Sequence, residues 1–184
     1  MESGLSEKYV YRCYKRLKEL GAPLDGWTCA EVIDYEDEGF KCELCDYPSV
    51  RYVHVMVHHE YPDELQVGCI CAGVMEGNIM AAKERDAQAK RRGQRKSNYL
   101  KKQWKAVGDD RWEVKYKRRA IAVERDCFYG REFYKIHLND DQYHWKNNKR
   151  MDSFLAAQHY VFELIEEEAC NARENNRTEV GTSG

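Results

Sequence analysis

Two closely spaced pairs of cysteines constrain the fold of this chain more than any other feature of its sequence. Cys42 and Cys45 form a Cys-x-x-Cys turn, and Cys69 and Cys71 form a Cys-x-Cys pair further along the chain. A structural zinc site takes four ligands in a tetrahedron, and thiolates at short spacing supply them two at a time. The sequence therefore predicts a closed, structural Zn²⁺ site held by these four cysteines.

The segment between the two pairs has the pattern of a β-hairpin. Apolar residues recur at alternate positions through much of residues 49–58, which is the period of a strand. The sequence Tyr61-Pro62-Asp63 has the chemistry of a turn, and a second strand is predicted over residues 65–70. A hairpin of this kind brings two cysteine pairs that are distant in sequence close together in space.

The Cys-x-Cys spacing does not decide which residue is the fourth ligand. If Cys69 and Cys71 lie on a strand, alternate residues share a face and both thiols point at the metal. If a helix begins at Cys69, residues two apart diverge, and one of the two thiols reaches the metal. His54 or His58 is then the alternative fourth ligand.

An amphipathic helix is predicted over about residues 7–20, where apolar side chains recur at spacings of three and four. Cys13 lies on its apolar stripe and is interpreted as a small buried side chain. Residues 27–35 alternate in part and predict a strand. Cys29, in that strand, has no cysteine neighbour in the sequence and is also assigned to the core.

Residues 78–106 predict a long basic helix, because Ala, Lys, Arg, Gln and Glu dominate the segment. From Lys83 to Arg119 there are 15 Lys and Arg against 5 Asp and Glu, whereas the whole chain has a net charge of −2. This asymmetry favours contact with nucleic-acid phosphates, with Tyr99 and Trp104 available for stacking on bases. The alternative is a solvated connecting helix. The candidate contacts are Lys90, Arg91, Arg92, Arg95, Lys96, Lys101, Lys102 and Lys105.

After Asp110 the apolar period changes to two, which predicts an antiparallel β-meander closed by a helix. The last residues are polar and are expected to be disordered. The predicted strands are 111–116, 120–126, 132–138 and 142–145, and the predicted helix runs from 152 or 153 to about 171.

These elements together predict an α+β protein with an N-terminal helix and a zinc-bound hairpin, a basic connecting helix and a meander with its closing helix. The corresponding domain division is 1–77 for the helix and zinc module, 78–106 for the basic helix, 107–171 for the meander domain and 172–184 for a disordered tail.

The Cys-Glu-Leu-Cys turn at 42–45, the strand Arg-Tyr-Val-His-Val-Met at 51–56 and the segment Leu-x-Val-Gly-Cys-x-Cys-Ala at 65–72 resemble zinc-ribbon or treble-clef modules of small, uncharacterised bacterial and phage proteins. The resemblance extends over most of the chain, but only the cysteine hairpin is specific. Those proteins often carry Ser-x-x-Gly-Asn after the tryptophan of the basic helix, whereas residues 106–110 read Ala-Val-Gly-Asp-Asp here. The resemblance implies a zinc-bound fold and brings no activity with it.

The eight cysteines suit metal ligation in a reducing compartment better than disulfides, because no apolar export signal follows the first residue. No stretch approaches the length of a membrane span. A cytoplasmic protein without membrane contact is therefore expected.

Three classes of function follow from these features. The first is a non-catalytic binding protein, scaffolded by zinc, that contacts nucleic acid through the basic helix. The second is a protein–protein adaptor or inhibitor. The third is a small nuclease, in which His137 and His144 on separate meander strands exchange protons. The oligomeric state does not follow from the sequence.

Overall fold

The computed structural model describes residues 6–36 and 39–180. Within these residues the chain forms four helices and antiparallel sheets that include a meander, which confirms the predicted α+β class. The helices are α1 Glu7–Glu19, α2 Cys69–Met75, α3 Ile79–Leu100 and α4 Phe154–Val180. The strands are β1 Thr28–Asp34, β2 Tyr52–His58, β3 Tyr61–Val67, β4 Lys105–Ala106, β5 Arg111–Tyr116, β6 Arg119–Phe128, β7 Arg131–Leu138, β8 Asp141–Tyr143, β9 Trp145–Lys146 and β10 Lys149–Arg150.

The chain divides into two compact units between Gln94 and Arg95, which is inside α3. Most of α3 therefore belongs to the N-terminal unit and its last turns belong to the C-terminal unit. The predicted division into 1–77, 78–106, 107–171 and 172–184, with 78–106 as a separate connecting helix, stays a prediction.

The N-terminal unit is built on a three-stranded antiparallel sheet in the order β1-β2-β3. The central strand β2 is buried through most of its length, with Val53, Val55 and Met56 at most 2% exposed. Helix α2 packs against β2, and α1 packs against α2. Cys13 and Leu17 on the inner face of α1 complete this core, because the apolar stripe of the helix is turned inward.

The hairpin turn differs from the expected one. The two strands are joined at residues 59–60, and Tyr61, Pro62 and Asp63 are the first residues of β3. Proline has no amide hydrogen to donate, but β3 is an edge strand, where a missing donor leaves no neighbour unpaired.

Two glycines allow elements of the N-terminal unit to approach closely. A Cβ atom at Gly73 of α2 would lie 2.7 Å from the Cα of Ile79, so a side chain there would collide with the start of α3. A Cβ atom at Gly93 would lie 2.7 Å from the hydroxyl of Tyr52 and 2.9 Å from a carboxylate oxygen of Asp34. Gly93 therefore has a packing role in a position where helix propensity alone disfavours glycine.

The C-terminal unit contains the meander as a five-stranded sheet in the order β4-β5-β6-β7-β8. Each strand pairs with its neighbour in sequence, and helix α4 packs on β6 and β7. The sheet ends in short strands on both edges, since β4 has two residues and β8 has three. The largest buried side chains are Tyr99, Ile121, Ile136, Leu138, Phe162 and Ile165.

Both long helices end at other positions than expected. Helix α3 ends at Leu100, because Lys105 and Ala106 pair with β5 instead of continuing the helix. Helix α4 continues to Val180, through a segment in which Glu and Arg support helix, so the predicted tail of 172–184 begins as helix. The rest of that predicted tail, 181–184, lies outside the described residues. No helix in the described part of the chain combines the length and apolar character needed to cross a bilayer.

Candidate metal centre

Three of the four predicted thiols converge in the N-terminal unit. The sulfur atoms of Cys42, Cys45 and Cys71 all lie within 4.8 Å of one another, and those of Cys42 and Cys71 are 3.6 Å apart. Cys42 and Cys45 belong to the turn between β1 and β2, whereas Cys71 lies in the first turn of α2. We call this group the three-thiol site; it can hold a metal ion.

Backbone groups fix the Cys42 side of this site. The amide of Cys42 donates to the carbonyl of Tyr47 over 2.9 Å, and the amide of Asp46 donates to the carbonyl of Cys42 over the same distance. Asp46 has a φ of 59°, the left-handed conformation that such a tight turn needs. The amide of Gly68, the residue before α2, donates to the sulfur of Cys42 over 3.4 Å. Backbone donors of this kind stabilise a thiolate.

A fourth thiol, that of Cys13, adjoins the three-thiol site from α1. Cys42 donates a hydrogen bond to Cys71, and the thiol of Cys13 is a further neighbour of Cys71 that affects its pKa. Cys13 is 1% exposed and packs in the same cluster as Cys42 and Cys71. The hydroxyl of Tyr9, one turn earlier on α1, lies 3.0 Å from the sulfur of Cys71. Helix α1 therefore contributes to the surroundings of these sulfur atoms.

The shared hydrogen bonds and burial set the acidity of these thiols in the absence of an ion. The hydrogen bond with Cys71 and then burial raise the pKa of Cys42. The hydrogen bond with Cys13 contributes most to the raised pKa of Cys71, while the same contact lowers the pKa of Cys13. Burial and the contact with Cys71 raise the pKa of Tyr9. The thiols are thus coupled to one another as one buried cluster.

Cys69, the remaining predicted ligand, lies in a different group. Helix α2 begins at Cys69, so its side chain and that of Cys71 point in different directions, as residues two apart on a helix do. The sulfur of Cys69 lies within 4.8 Å of one ring nitrogen of His54 and one carboxylate oxygen of Asp86. We call this second group the mixed site. His54 therefore belongs to the mixed site and not to the three-thiol site.

The mixed site combines one residue from each of three elements: His54 from β2, Cys69 from α2 and Asp86 from α3. His54 is 0% exposed, and burial followed by the nearby Arg85 lowers its pKa. Burial, with Asp86 as the next cause, raises the pKa of Cys69 to about 11. Lys90, one turn along α3, forms an ion pair of 2.7 Å with Asp86.

His58, the other histidine considered as a ligand, has a structural environment. Its ring lies 5.4 Å from that of Trp27 and stacks on the ring of His59 at 4.5 Å. Its Nδ1 accepts a hydrogen bond of 3.0 Å from the amide of Glu60, in the hairpin turn. His58 is therefore part of the packing around the turn and is not in either cysteine group.

Two of the candidate nucleic-acid contacts on α3 are engaged in ion pairs within the helix. Lys90 pairs with Asp86 at 2.7 Å, and Arg91 pairs with Glu84 at 2.8 Å. Exposed pairs of this type contribute little to stability, but they reduce the positive charge that the helix presents to solvent. The basic surface is thus less uniform than the sequence suggests.

Arg95 is the first residue of the C-terminal unit and is paired within that unit. Its Nε and Nη2 atoms both donate to the carboxylate of Glu166, and Nζ of Lys117 lies 2.8 Å from the same carboxylate. Burial acts to raise the pKa of Glu166, but the hydrogen bonds from Arg95 and Lys117 outweigh it and lower the pKa to about 2. Arg92 and Lys96 also have interactions with neighbouring groups. Arg92, Arg95 and Lys96 of the predicted basic surface are therefore engaged in interactions within the protein.

Lys101, Lys102 and Lys105 differ from the other candidates. All three side chains are exposed, and in the described part of the chain none of them forms an ion pair. Lys102 lies over the ring of Tyr116 at 5.8 Å, which leaves its charge in solvent. These lysines form a short basic patch between the end of α3 and β4.

The aromatic residues of the basic segment belong to the core. Tyr99 is 0% exposed, with its ring 5.8 Å from that of Phe162. The ring of Trp104 packs edge-on against Phe154 at 5.3 Å. Neither side chain is presented for stacking on a base.

The two meander histidines, His137 and His144, both contact the side chain of Gln142. His144 lies 3.0 Å from the Oε1 atom of Gln142, and the amide nitrogen of the same side chain lies 3.4 Å from His137. His137 also lies 3.3 Å from Glu124. These groups lie on an exposed part of the sheet. The arrangement brings the pair together, and the nuclease alternative stays a prediction.

Comparisons of the chain with protein-family models, with curated proteins and with solved structures find no match. Its function must therefore be argued from these sites themselves.

Sequence reasoning did not identify Cys13 as a neighbour of the three-thiol site or Asp86 as a member of the mixed site. Cys13 is on the apolar stripe of α1, where a ligand and a core residue have the same periodicity. Asp86 is one of many charged residues on α3, and its distance in sequence from His54 gives no signal. Only the tertiary fold brings them to the cysteines.

Proposed function

We propose that this protein is a non-catalytic binding protein whose N-terminal unit is built around a structural Zn²⁺ ion. The ion is held by the three-thiol site, with Cys13 as the fourth thiolate. The observation that carries the proposal is the convergence of three sulfur atoms, from a turn and the start of α2, within 4.8 Å of one another, with the buried thiol of Cys13 packed in the same cluster. The order of Cys-x-x-Cys turn, hairpin and ligand-bearing helix supports a zinc-ribbon or treble-clef module of the kind that the sequence resembles.

The distances support zinc as the ion. A Zn–S bond is about 2.3 Å, so two corners of a regular ZnS₄ tetrahedron are about 3.8 Å apart. The 3.6 Å between the sulfur atoms of Cys42 and Cys71 is close to this edge. Soft thiolate ligands favour Zn²⁺ over Mg²⁺ or Ca²⁺, which prefer oxygen. Four thiolates fill the coordination sphere, and a filled sphere has a structural role.

Metal content and metal removal test the structural role. The protein, purified without added chelator, is expected to retain at least one equivalent of zinc per chain after dialysis. A strong chelator such as 1,10-phenanthroline is expected to remove it and to unfold the N-terminal unit, because binding and folding of such a site are one event. Trp27, which is 2% exposed, makes near-ultraviolet circular dichroism a suitable probe of that unit. A metal-free protein with an unchanged spectrum would refute the structural role.

Nucleic acid is the partner that we propose, and the exposed lysine patch of Lys101, Lys102 and Lys105 supports it. Among the described residues these ammonium groups have no carboxylate partner, so they are available to phosphates and release counterions on binding. The proposal is narrower than the sequence-based expectation, because the ion pairs of Lys90, Arg91 and Arg95 occupy the middle of α3.

Replacement of Lys101, Lys102 and Lys105 together by glutamine is expected to weaken binding to DNA or RNA at low salt about 10-fold or more. The slope of log affinity against log salt concentration should also become shallower, by the amount that about three phosphate contacts contribute. Fluorescence anisotropy with labelled single-stranded and double-stranded oligonucleotides measures both quantities. The matched control is Lys8, Lys15 and Lys18 changed to glutamine on α1, which removes the same charge elsewhere.

Equal losses in the two triple variants would indicate a general charge effect and would contradict the lysine patch. Undetectable binding of the unaltered protein at low salt would remove nucleic acid as the partner. Capture of a protein partner that survives nuclease treatment would then favour the adaptor alternative.

A further inference from the structure

The mixed site has the donor atoms that a second metal centre needs, and it shares no residue with the three-thiol site. Its members come from three different elements of the N-terminal unit, yet one donor atom of each lies within 4.8 Å of the others. We propose that it binds a second zinc-class dication through Nε2 of His54, Sγ of Cys69 and a carboxylate oxygen of Asp86, with its fourth coordination position open.

The histidine is the independent observation that points to a ligand. The side chain of His54 is 0% exposed, and within the described residues its Nε2 atom has no hydrogen-bond partner. An unsatisfied buried polar atom costs about 1–3 kcal/mol, so such atoms are uncommon without a reason. Nε2 faces Asp86, whose Oδ1 atom is 3.9 Å away, too far for a hydrogen bond. A cation between the two atoms would satisfy both.

The other ring nitrogen is held in place by a neighbour. Nδ1 of His54 lies 3.8 Å from the sulfur of Cys29, and that sulfur contacts the carbonyl of Glu31 at 3.3 Å. A histidine ligand characteristically has its second nitrogen in such a contact, which orients the ring toward the metal. Cys29 therefore acts as a positioning residue for His54 in this proposal.

The donor set identifies the class of ion. One imidazole, one thiolate and one carboxylate suit Zn²⁺ or Co²⁺, whereas a thiolate disfavours Mg²⁺ and Ca²⁺. Zinc and nitrogen or oxygen ligands are about 2.0–2.2 Å apart, which places two tetrahedral ligands about 3.4 Å from each other. The separation of 3.9 Å between His54 and Asp86 requires a small inward movement of the carboxylate.

With Cys69 and Asp86 as ligands, the fourth position would open on a cavity of about 700 Å³, which the residues of the three-thiol site line as well. Cys69 and Asp86 line its wall, and Lys83 and Lys90 contribute positive charge to the same wall. Three protein ligands with one exchangeable position distinguish an accessible zinc site from a closed structural one. Water or a small anion is the ligand that this wall would accept.

Zinc stoichiometry and cobalt spectra test the proposal on the full chain. The unaltered protein, saturated with Zn²⁺ and dialysed, is expected to carry two equivalents per chain. Asp86→Asn and Cys69→Ser are each expected to retain one equivalent, with the affinity for the other reduced about 100-fold or more. Asp86→Asn preserves the size of the side chain, and the retained first equivalent reports that the unit is folded.

Lys90→Gln is the matched control for Asp86→Asn. It removes the ion pair with Asp86 but leaves all three donors, so both equivalents of zinc should remain. His59→Gln, at an exposed histidine beside the hairpin turn, should likewise keep two equivalents. With Co²⁺ in place of Zn²⁺, addition of azide should change the d–d absorption of the unaltered protein, because one position is exchangeable.

The outcomes separate this proposal from the structural zinc. One equivalent that is lost in Cys71→Ser and retained in Asp86→Asn overturns the mixed site alone. Two equivalents that persist in both Asp86→Asn and Cys69→Ser also overturn it. A protein without any bound zinc overturns both centres. A cobalt spectrum that azide does not change would contradict the open fourth position.

Discussion

Cys71→Ser is expected to lose one equivalent of zinc and to unfold the N-terminal unit at temperatures where the unaltered protein is folded. Cys71 is the member of the three-thiol site that accepts a hydrogen bond from Cys42 and also neighbours the thiol of Cys13. Structural zinc contributes about 10–16 kcal/mol of apparent binding free energy in small modules. That is as large as the whole stability of a typical domain, about 5–15 kcal/mol, so loss of the ion should not leave a stable fold.

Cys127→Ser is the matched control for this prediction. Cys127 is exposed on β6 in the C-terminal unit, so the same chemical change there should leave zinc content and unfolding temperature unaltered. Thermal unfolding followed by circular dichroism, together with elemental analysis of zinc, measures both effects. A Cys71→Ser protein with the zinc content and the unfolding curve of Cys127→Ser would show that Cys71 is an ordinary buried thiol.

Cys13→Ser and Cys13→Ala are expected to weaken zinc binding at the three-thiol site about 100-fold without abolishing it. Unlike Cys71→Ser, these variants leave the three-thiol site whole, with its sulfur atoms within 4.8 Å of one another, so it still holds the ion and water takes the fourth position. Each variant should also loosen α1, because Cys13 and Leu17 are the fully buried residues of that helix. A competition titration with a chromogenic zinc chelator measures the affinity.

Cobalt spectroscopy distinguishes a ligand from a packing residue in this case. The intensity of the sulfur-to-cobalt charge-transfer bands increases with the number of thiolates, so both Cys13 variants should lose about a quarter of the intensity that the four-thiolate site contributes. Leu17→Ala is the control, because it disturbs the same buried face of α1 and removes no sulfur. If Cys13→Ala keeps the full charge-transfer intensity, Cys13 only fills space.

Most of the fold follows from local patterns in the sequence. The apolar stripe that includes Cys13 and Leu17 predicts α1, and the alternation around Ile121 and Ile136 predicts the meander. The boundaries depend on pairing with distant residues and are not encoded locally. Ala106 favours helix by propensity, yet it lies on β4 because Trp112 offers a strand to pair with.

The candidate metal centre was predictable only in part. The spacing of Cys42 and Cys45 identifies a knuckle directly, because both ligands come from one turn. The choice between Cys69 and Cys71 depends on the residue at which α2 begins, and helix boundaries are uncertain by one or two residues. Because α2 starts at Cys69, the side chains of Cys69 and Cys71, which are two residues apart, lie in two different sites.

The short edge strands of the C-terminal sheet have a consequence for partner recognition. An exposed strand edge can recruit an extended peptide or a second sheet through backbone hydrogen bonds. With two residues in β4 and three in β8, each edge strand by itself offers only a short run of donors and acceptors to such an added strand. The two edge strands are therefore poor templates for edge-to-edge aggregation.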